Sequence, residues 1–164
     1  MNVAGDYIAV GLGGNVGSDQ AILARFRAAI RLLRVAGAFD VRASSVYRSP
    51  PAGPVANQPP FLNAAVAFQL PPVIGPRGFL LTLWKGEAAL GRKRPSRPAK
   101  GPRPIDLDLL LWRTLTIRSA LLTLPHPAIS TRPFVLQPLS DLFGCSVSPP
   151  IAPCELVTGA TLLD

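Results

Sequence analysis

Apolar positions along the chain fall into runs whose spacing alternates between strand-like and helical. Tyr7 to Leu12 is a short apolar run that stops at glycines, which predicts a buried strand. Gly13 to Gly17 reads as a turn. Ser18 or Asp19 is placed to cap a helix in which Ile22, Phe26, Ala29, Ile30 and Leu33 recur at helical spacing. Arg25, Arg27, Arg31 and Arg34 stand mainly on its other faces, and Gly37 ends it. Residues 39–47 read as a second strand. Prolines at 50, 51, 54, 59 and 60 make residues 48–60 a loop with most of its conformational freedom removed. Phe61 to Leu70 returns as a strand, and Gly75 or Pro76 opens a helix carrying Phe79, Leu80, Leu83, Glu87 and Leu90, closed at Gly91.

Residues 92–104 are cationic and broken by prolines, which predicts an exposed loop. Ile105 to Trp112 reads as a strand, with a short strand near 120–124. A last helix is expected from about Thr131, with Pro133 in its first turn, to about Leu142. The order βαββαβ with C-terminal strand and helix additions predicts an α+β, ferredoxin-like sandwich, an antiparallel sheet with helices packed on it. No repeat or hinge-like linker divides the 164 residues, so residues 1–164 are expected to form a single domain.

Hydrophobic residues make up 48% of the chain and charged residues 16%, which excludes a wholly disordered protein. The longest apolar runs are too short to span a bilayer, so no membrane association is expected. Met1 to Asp6 lacks the basic start and apolar core of a signal peptide, so the expected location is cytoplasmic. Cys145 and Cys154 form neither a CxxC nor a four-ligand zinc pattern and read as inert thiols. A net charge of +8 favours anionic partners: nucleic acid, a membrane surface or a polyphosphate.

The distribution of charge narrows this. Arg92, Lys93, Arg94, Arg97, Lys100 and Arg103 place six cations within twelve residues, and two of the nine acids, Asp106 and Asp108, follow at once. On a strand, Asp106 and Asp108 share a face about 7 Å apart at Cα while Leu107 points inward. Two such carboxylates repel unless a cation lies between them, and Mg²⁺ shared with substrate phosphates fits. A pair of ions about 3.5–4 Å apart would clamp a phosphoryl transfer. A DxD pair alone reads first as an acidic pair on an edge strand facing solvent; six neighbouring cations turn the reading toward a site. Stacking groups for nucleic acid are missing, since residues 85–111 hold no Phe, Tyr or Trp. Arginines on a loop suit a polyphosphate instead. Gly11 to Asn15 lacks the glycine of a dinucleotide fingerprint and the Gly-Lys of a P-loop, so tight-turn geometry is the better reading. His126, the only histidine, is bracketed by Pro125 and Pro127 and suits presenting one ring nitrogen to a phosphate.

Taken together, several segments resemble the 6-hydroxymethyl-7,8-dihydropterin pyrophosphokinase family. They are Gly11 to Asn15, Ser45 to Pro54, Phe61 to Val66, Glu87, Gly91 to Arg94, Gly101 to Asp108, Leu124 to Pro127 and Arg132 to Leu139. The resemblance implies a ferredoxin-like fold and transfer of pyrophosphate from ATP to the hydroxymethyl group of a reduced pterin, releasing AMP. It implies that Asp106 and Asp108 hold two Mg²⁺ ions, with Arg92 and Arg94 as catalytic cations on a closing loop. Glu87, Arg92, Arg94, Arg103, Thr123, His126 and Arg132 would serve the ATP side. Ser49, Pro50, Ala52, Phe61, Asn63 and Phe134 would hold the pterin. Trp84 departs from the family by standing where a polar nucleotide contact is common. A ferredoxin-like RNA-binding module and a diverged inactive paralogue are the alternatives; the first lacks its aromatic signature, and nothing supports the second. A monomer binding no nucleic acid is expected.

Overall fold

In the computed structural model, which describes residues 5–55, 57–93, 100–144 and 154–163, the chain opens with β1 (Ile8–Gly14) and α1 (Asp19–Val35). Ser18 caps α1, its hydroxyl accepting the Ala21 N–H at 3.2 Å. There follow β2 (Phe39–Ala43), β3 (Tyr47–Ser49) and β4 (Phe61–Gln69), then α2 (Pro76–Ala89), whose first residue is a proline that needs no N–H partner there. The chain continues through β5 (Asp106–Trp112), β6 (Ile117–Arg118), β7 (Thr123–Leu124), α3 (Ala128–Thr131), α4 (Pro133–Phe143) and β8 (Glu155–Leu156). Arg94, Arg97 and Cys145 lie outside the described residues; Cys154 is a half-buried free thiol.

The main sheet runs β5-β1-β4-β3-β8, with β2 also pairing β4, and its strand pairs are antiparallel. One face carries α1 and α2, which bury Phe26, Ile30, Phe79 and Leu83 against Val10, Val66 and Phe68. Phe79 stands 5.6 Å, ring to ring, from both Phe68 and Trp112. The other face carries α4, whose Leu139 packs with Ala9, Ala65 and Leu110. Cover on both faces explains why β4 is buried from Phe61 through Phe68 instead of on alternate residues. The molecule is therefore α+β, an antiparallel sheet with helices packed on it.

Two expectations need correction. Gly11, Gly13 and Gly14 extend β1 instead of turning. Their small size answers crowding across the sheet: a Cβ on Gly14 would lie 2.7 Å from the Pro104 carbonyl oxygen, and one on Gly11 would lie 3.3 Å from Leu110. The turn itself uses Gly17, with φ +94°. Residues 39–47 are two strands, because Ser44 turns in to bond β4 with its own N–H, which donates to the Ala65 oxygen, and with its hydroxyl, which accepts the Ala65 N–H, each at 2.9 Å. The strand near 120–124 is the small hairpin of β6 and β7, and the final helix starts at Pro133 after the single turn of α3.

Candidate functional site

The site is built on the face of β5 turned away from α1 and α2. Leu107 enters the core at 4% exposure, which leaves Asp106 and Asp108 on the opposite face. Register places Gly13 of β1 beside Asp106 and Asn63 of β4 beside Gly13, so one row across three strands reads Asn63, Gly13, Asp106. With neighbouring strands about 4.8 Å apart, the two polar side chains stand about 10 Å apart across a bare glycine. A Cβ on Gly13 would touch both, at 3.6 Å from the Asp106 Cβ and 3.8 Å from the Asn63 Oδ1.

Beneath this row lies an ion-pair stack. Glu87 of α2 is 1% exposed; its Oε1 accepts the Leu107 N–H at 2.8 Å and pairs with Arg92 Nη1 at 2.6 Å. Arg92, just past Gly91 at φ +96°, also donates to Asp106. Arg103 approaches Asp106 from the other side, its Nε 2.9 Å from Oδ2, and lays its guanidinium 5.1 Å from the centre of the Phe61 ring. Asn15, 1% exposed, fixes Arg103 through both main-chain groups, accepting its N–H at 2.9 Å and donating its own to the Arg103 oxygen at 3.0 Å. Among the described residues the buried Nε–H of Arg92 has no hydrogen-bond acceptor. A buried N–H donor without an acceptor marks a place where an anion would be welcome.

Electrostatics sharpen the picture. Burial, and then the negative charges of Asp106 and Glu87, push the Asp108 carboxyl up to about 7, against the pull of Arg103 and Arg92. The carboxylates thus carry surplus negative charge that a hard cation would relieve, and their oxygens are the donors such a cation prefers. Among the described residues no third His, Cys, Asp or Glu joins them, so further ligands would come from a substrate or water. His126 accepts the Ala128 N–H at Nδ1, 3.1 Å away. Burial and then the Arg132 charge hold its pKa below the usual imidazole value. A neutral ring with Nδ1 accepting carries its proton on Nε2, as a donor.

Three cavities meet around β5. The largest, about 370 Å³, lies under α2 and the β6–β7 hairpin, lined by Leu80, Trp84, Asp108, Leu121, Thr123 and His126 among others. A small cleft over Gly11 and Gly13 holds Asp106 and Asp108 and reaches Phe134. The third is lined by Ser49, Pro50, Ala52, Phe61, Arg103, Arg132 and Phe134. Asp108 belongs to the first two cavities and Phe134 to the last two, so the carboxylates sit between a roomy pocket and an aromatic one.

The expected residues that the structure describes thus gather around β5, with differences. Thr123 and His126 line the large cavity with Asp108. Glu87 lies underneath, supporting Arg92 and the strand. Arg132 belongs to the aromatic pocket, 5.7 Å from the Phe134 ring, instead of the large cavity. Asn63 is 6% exposed beneath that pocket, its amide donating to Ser49 Oγ at 2.8 Å. Arg94 is outside the described residues. The bare floor of Gly11 and Gly13 and the Leu80 and Leu121 walls went unseen in the sequence reading. Glycines two apart in a strand were the available signal for the floor.

Comparison with known proteins points to one family. The family model described as 7,8-dihydro-6-hydroxymethylpterin-pyrophosphokinase matches residues 9–144. A 2-amino-4-hydroxy-6-hydroxymethyldihydropteridine pyrophosphokinase of Methylorubrum extorquens is 41% identical over 94% of this chain and 88% of its own length. One from Bacillus subtilis is 38% identical, covering 83% of this chain and 76% of itself. The mitochondrial folate synthesis bifunctional protein of Pisum sativum is 41% identical over 87% of this chain, which spans only 26% of that relative's length.

Proposed function

The chain belongs to the 7,8-dihydro-6-hydroxymethylpterin-pyrophosphokinase family, and on that footing we propose that it transfers pyrophosphate from ATP to a hydroxymethyl-dihydropterin in folate biosynthesis. The pterin hydroxyl oxygen bonds to the β-phosphorus, the bond between that phosphorus and the α,β-bridging oxygen breaks, and AMP leaves. The observation that carries the reading is the carboxylate cleft sharing Asp108 with the large cavity and Phe134 with the aromatic pocket. Nucleotide occupies the first and pterin the last, so the reacting atoms meet above Gly13.

Each side chain then has work suited to its chemistry. Phe61 and Phe134 offer flat faces to a flat heterocycle, and Asn63 supplies donor and acceptor together. The Ser49-to-Ala52 backbone, stiffened by Pro50 and Pro51, arrives preorganised. Arg92, Arg94 and Arg103 neutralise the triphosphate, and the unpartnered Nε–H of Arg92 favours an anionic oxygen there. His126 donates from Nε2, with Thr123 beside it; Glu87 and Asn15 hold Arg92 and Arg103 in place. Asp106 and Asp108 fit Mg²⁺ by donor type and by surplus charge, and two such ions, when bound, neutralise the developing phosphate charge. No protein nucleophile is required: positioning and charge carry the catalysis.

The sheet order and the two helices on one face support the finer description as ferredoxin-like; the chain acting as one domain and as a monomer is part of the same proposal. No helix among the described residues is long and apolar enough to cross a membrane, in keeping with action in the cytoplasm. No observation favours the RNA-binding or inactive-paralogue readings. The test is product analysis with ATP, Mg²⁺ and 6-hydroxymethyl-7,8-dihydropterin. AMP formed only with the pterin present is the expected outcome; ADP, or AMP without pterin dependence, removes the proposal.

A further inference from the structure

Beyond residue 144, where the family match ends, the chain returns to the sheet in a way the reaction has not yet used. Glu155 and Leu156 form β8 against the outer edge of β3, with Leu156 opposite Tyr47 and Glu155 opposite Arg48. Val157 N–H donates to the Val46 oxygen at 2.9 Å. The tail is anchored further on: Arg27 of α1 holds the Thr161 oxygen in a fork, at 3.0 Å from Nε and 2.8 Å from Nη2. Leu162 is 6% exposed in the main core, with Val157, Ala160 and Leu163 packed around it. Arg48 ties the same corner together, 2.6 Å from Asp19 and 4.0 Å from Glu155.

We propose that residues 155–163 are a positioning strap that holds β3, and through it the Ser49 wall of the pterin pocket, in its binding geometry. The inference rests on the pterin reading above. β3 is only three residues long, and its last residue, Ser49, both lines the pocket and accepts the Asn63 amide. Without β8 its outer edge would present unpaired backbone groups, and a strand so short, paired on one side alone, has little to fix its position. With β8 it is clamped from both sides, as it is from α4 by the Tyr47 hydroxyl donating to Asp141 at 2.8 Å. The strap contributes no side chain to any of the three cavities. Its effect therefore belongs to pterin binding and not to nucleotide binding or to the transfer step.

Val157→Pro removes the N–H that bonds Val46, while Val157→Ala keeps it. Steady-state kinetics with each substrate varied should show the pterin KM raised about tenfold in Val157→Pro, the upper end of what one hydrogen bond contributes. The ATP KM and kcat should stay within about twofold, and Val157→Ala should match the unaltered protein. An unchanged pterin KM in a folded Val157→Pro protein overturns the strap, as does an equal loss in all three parameters. Should Val157→Pro fail to fold, Arg27→Ala loosens the tail from the solvent side, and the same selective rise, about threefold, is expected. An unaltered protein without pterin-dependent turnover instead overturns the functional reading beneath the proposal, and the two failures are distinct.

Discussion

Asp108→Asn should make the protein more stable and nearly inactive, and the size of the gain follows from the site. Asp108 is held at about 7 in the fold, against 3.8 for an unhindered carboxyl, first by burial and then by Asp106 and Glu87. A raised folded pKa means that the folded chain keeps a proton the unfolded chain has lost, so stability falls as pH rises from about 4 to about 7. Above that range the full penalty applies, about 4 kcal/mol as a ceiling at 1.36 kcal/mol per pH unit. Relaxation around the charge makes about 2 kcal/mol the expected gain for the asparagine variant at pH 8 without divalent cations. At pH 4 both states hold or share the proton, and the gain should vanish. Urea unfolding followed by circular dichroism at both pH values measures this, with Mg²⁺ added in a parallel series. Mg²⁺ should stabilise the unaltered protein at pH 8 and leave the variant nearly unmoved, while turnover drops at least about a hundredfold. A variant no more stable at pH 8, or equally stabilised at pH 4 and pH 8, would refute the reasoning.

Three further outcomes follow from the same geometry. Gly13→Val should fold, because its Cβ meets only ordinary contacts, yet lose at least about a hundredfold in kcat as its methyls fill the gap between Asn63 and Asp106; near-normal kcat would show that reactants do not meet there. Arg92→Ala takes the Arg92 charge away from the buried Glu87 carboxylate and from Asp106, and should lower stability by about 3 kcal/mol in denaturant titration. Adding Glu87→Gln should restore much of that stability without restoring turnover. Trp84→Ala should raise the ATP KM about tenfold, the worth of one aromatic stack on a base, and leave the pterin KM unchanged.

Much of this was legible in the residues because local signals agreed. Ser18, Gly37, Pro76 and Gly91 mark helix ends by their own chemistry, and the Asp106-Leu107-Asp108 alternation fixes which way each side chain faces on a strand. The glycines of β1 misled because a glycine run is equally a turn and a strand pressed by its neighbours. Only the third dimension places the Pro104 carbonyl against Gly14. The break at Ser44 depends on a hydroxyl bonding a strand that lies about twenty residues on, which no local pattern encodes. That Arg132 lines the aromatic pocket is equally hidden from the sequence: its neighbour Phe134 is set by α4 packing on β4, not by spacing.

The central claim is that Asp106 and Asp108 lie where a nucleotide and a pterin meet. Crystals grown with Mn²⁺, a non-hydrolysable ATP analogue and 6-hydroxymethyl-7,8-dihydropterin test it most directly through anomalous scattering. The account predicts manganese peaks on both carboxylates, the base in the cavity beside Trp84 and the pterin between Phe61 and Phe134. Manganese bound elsewhere, or both ligands in the large cavity, would contradict it.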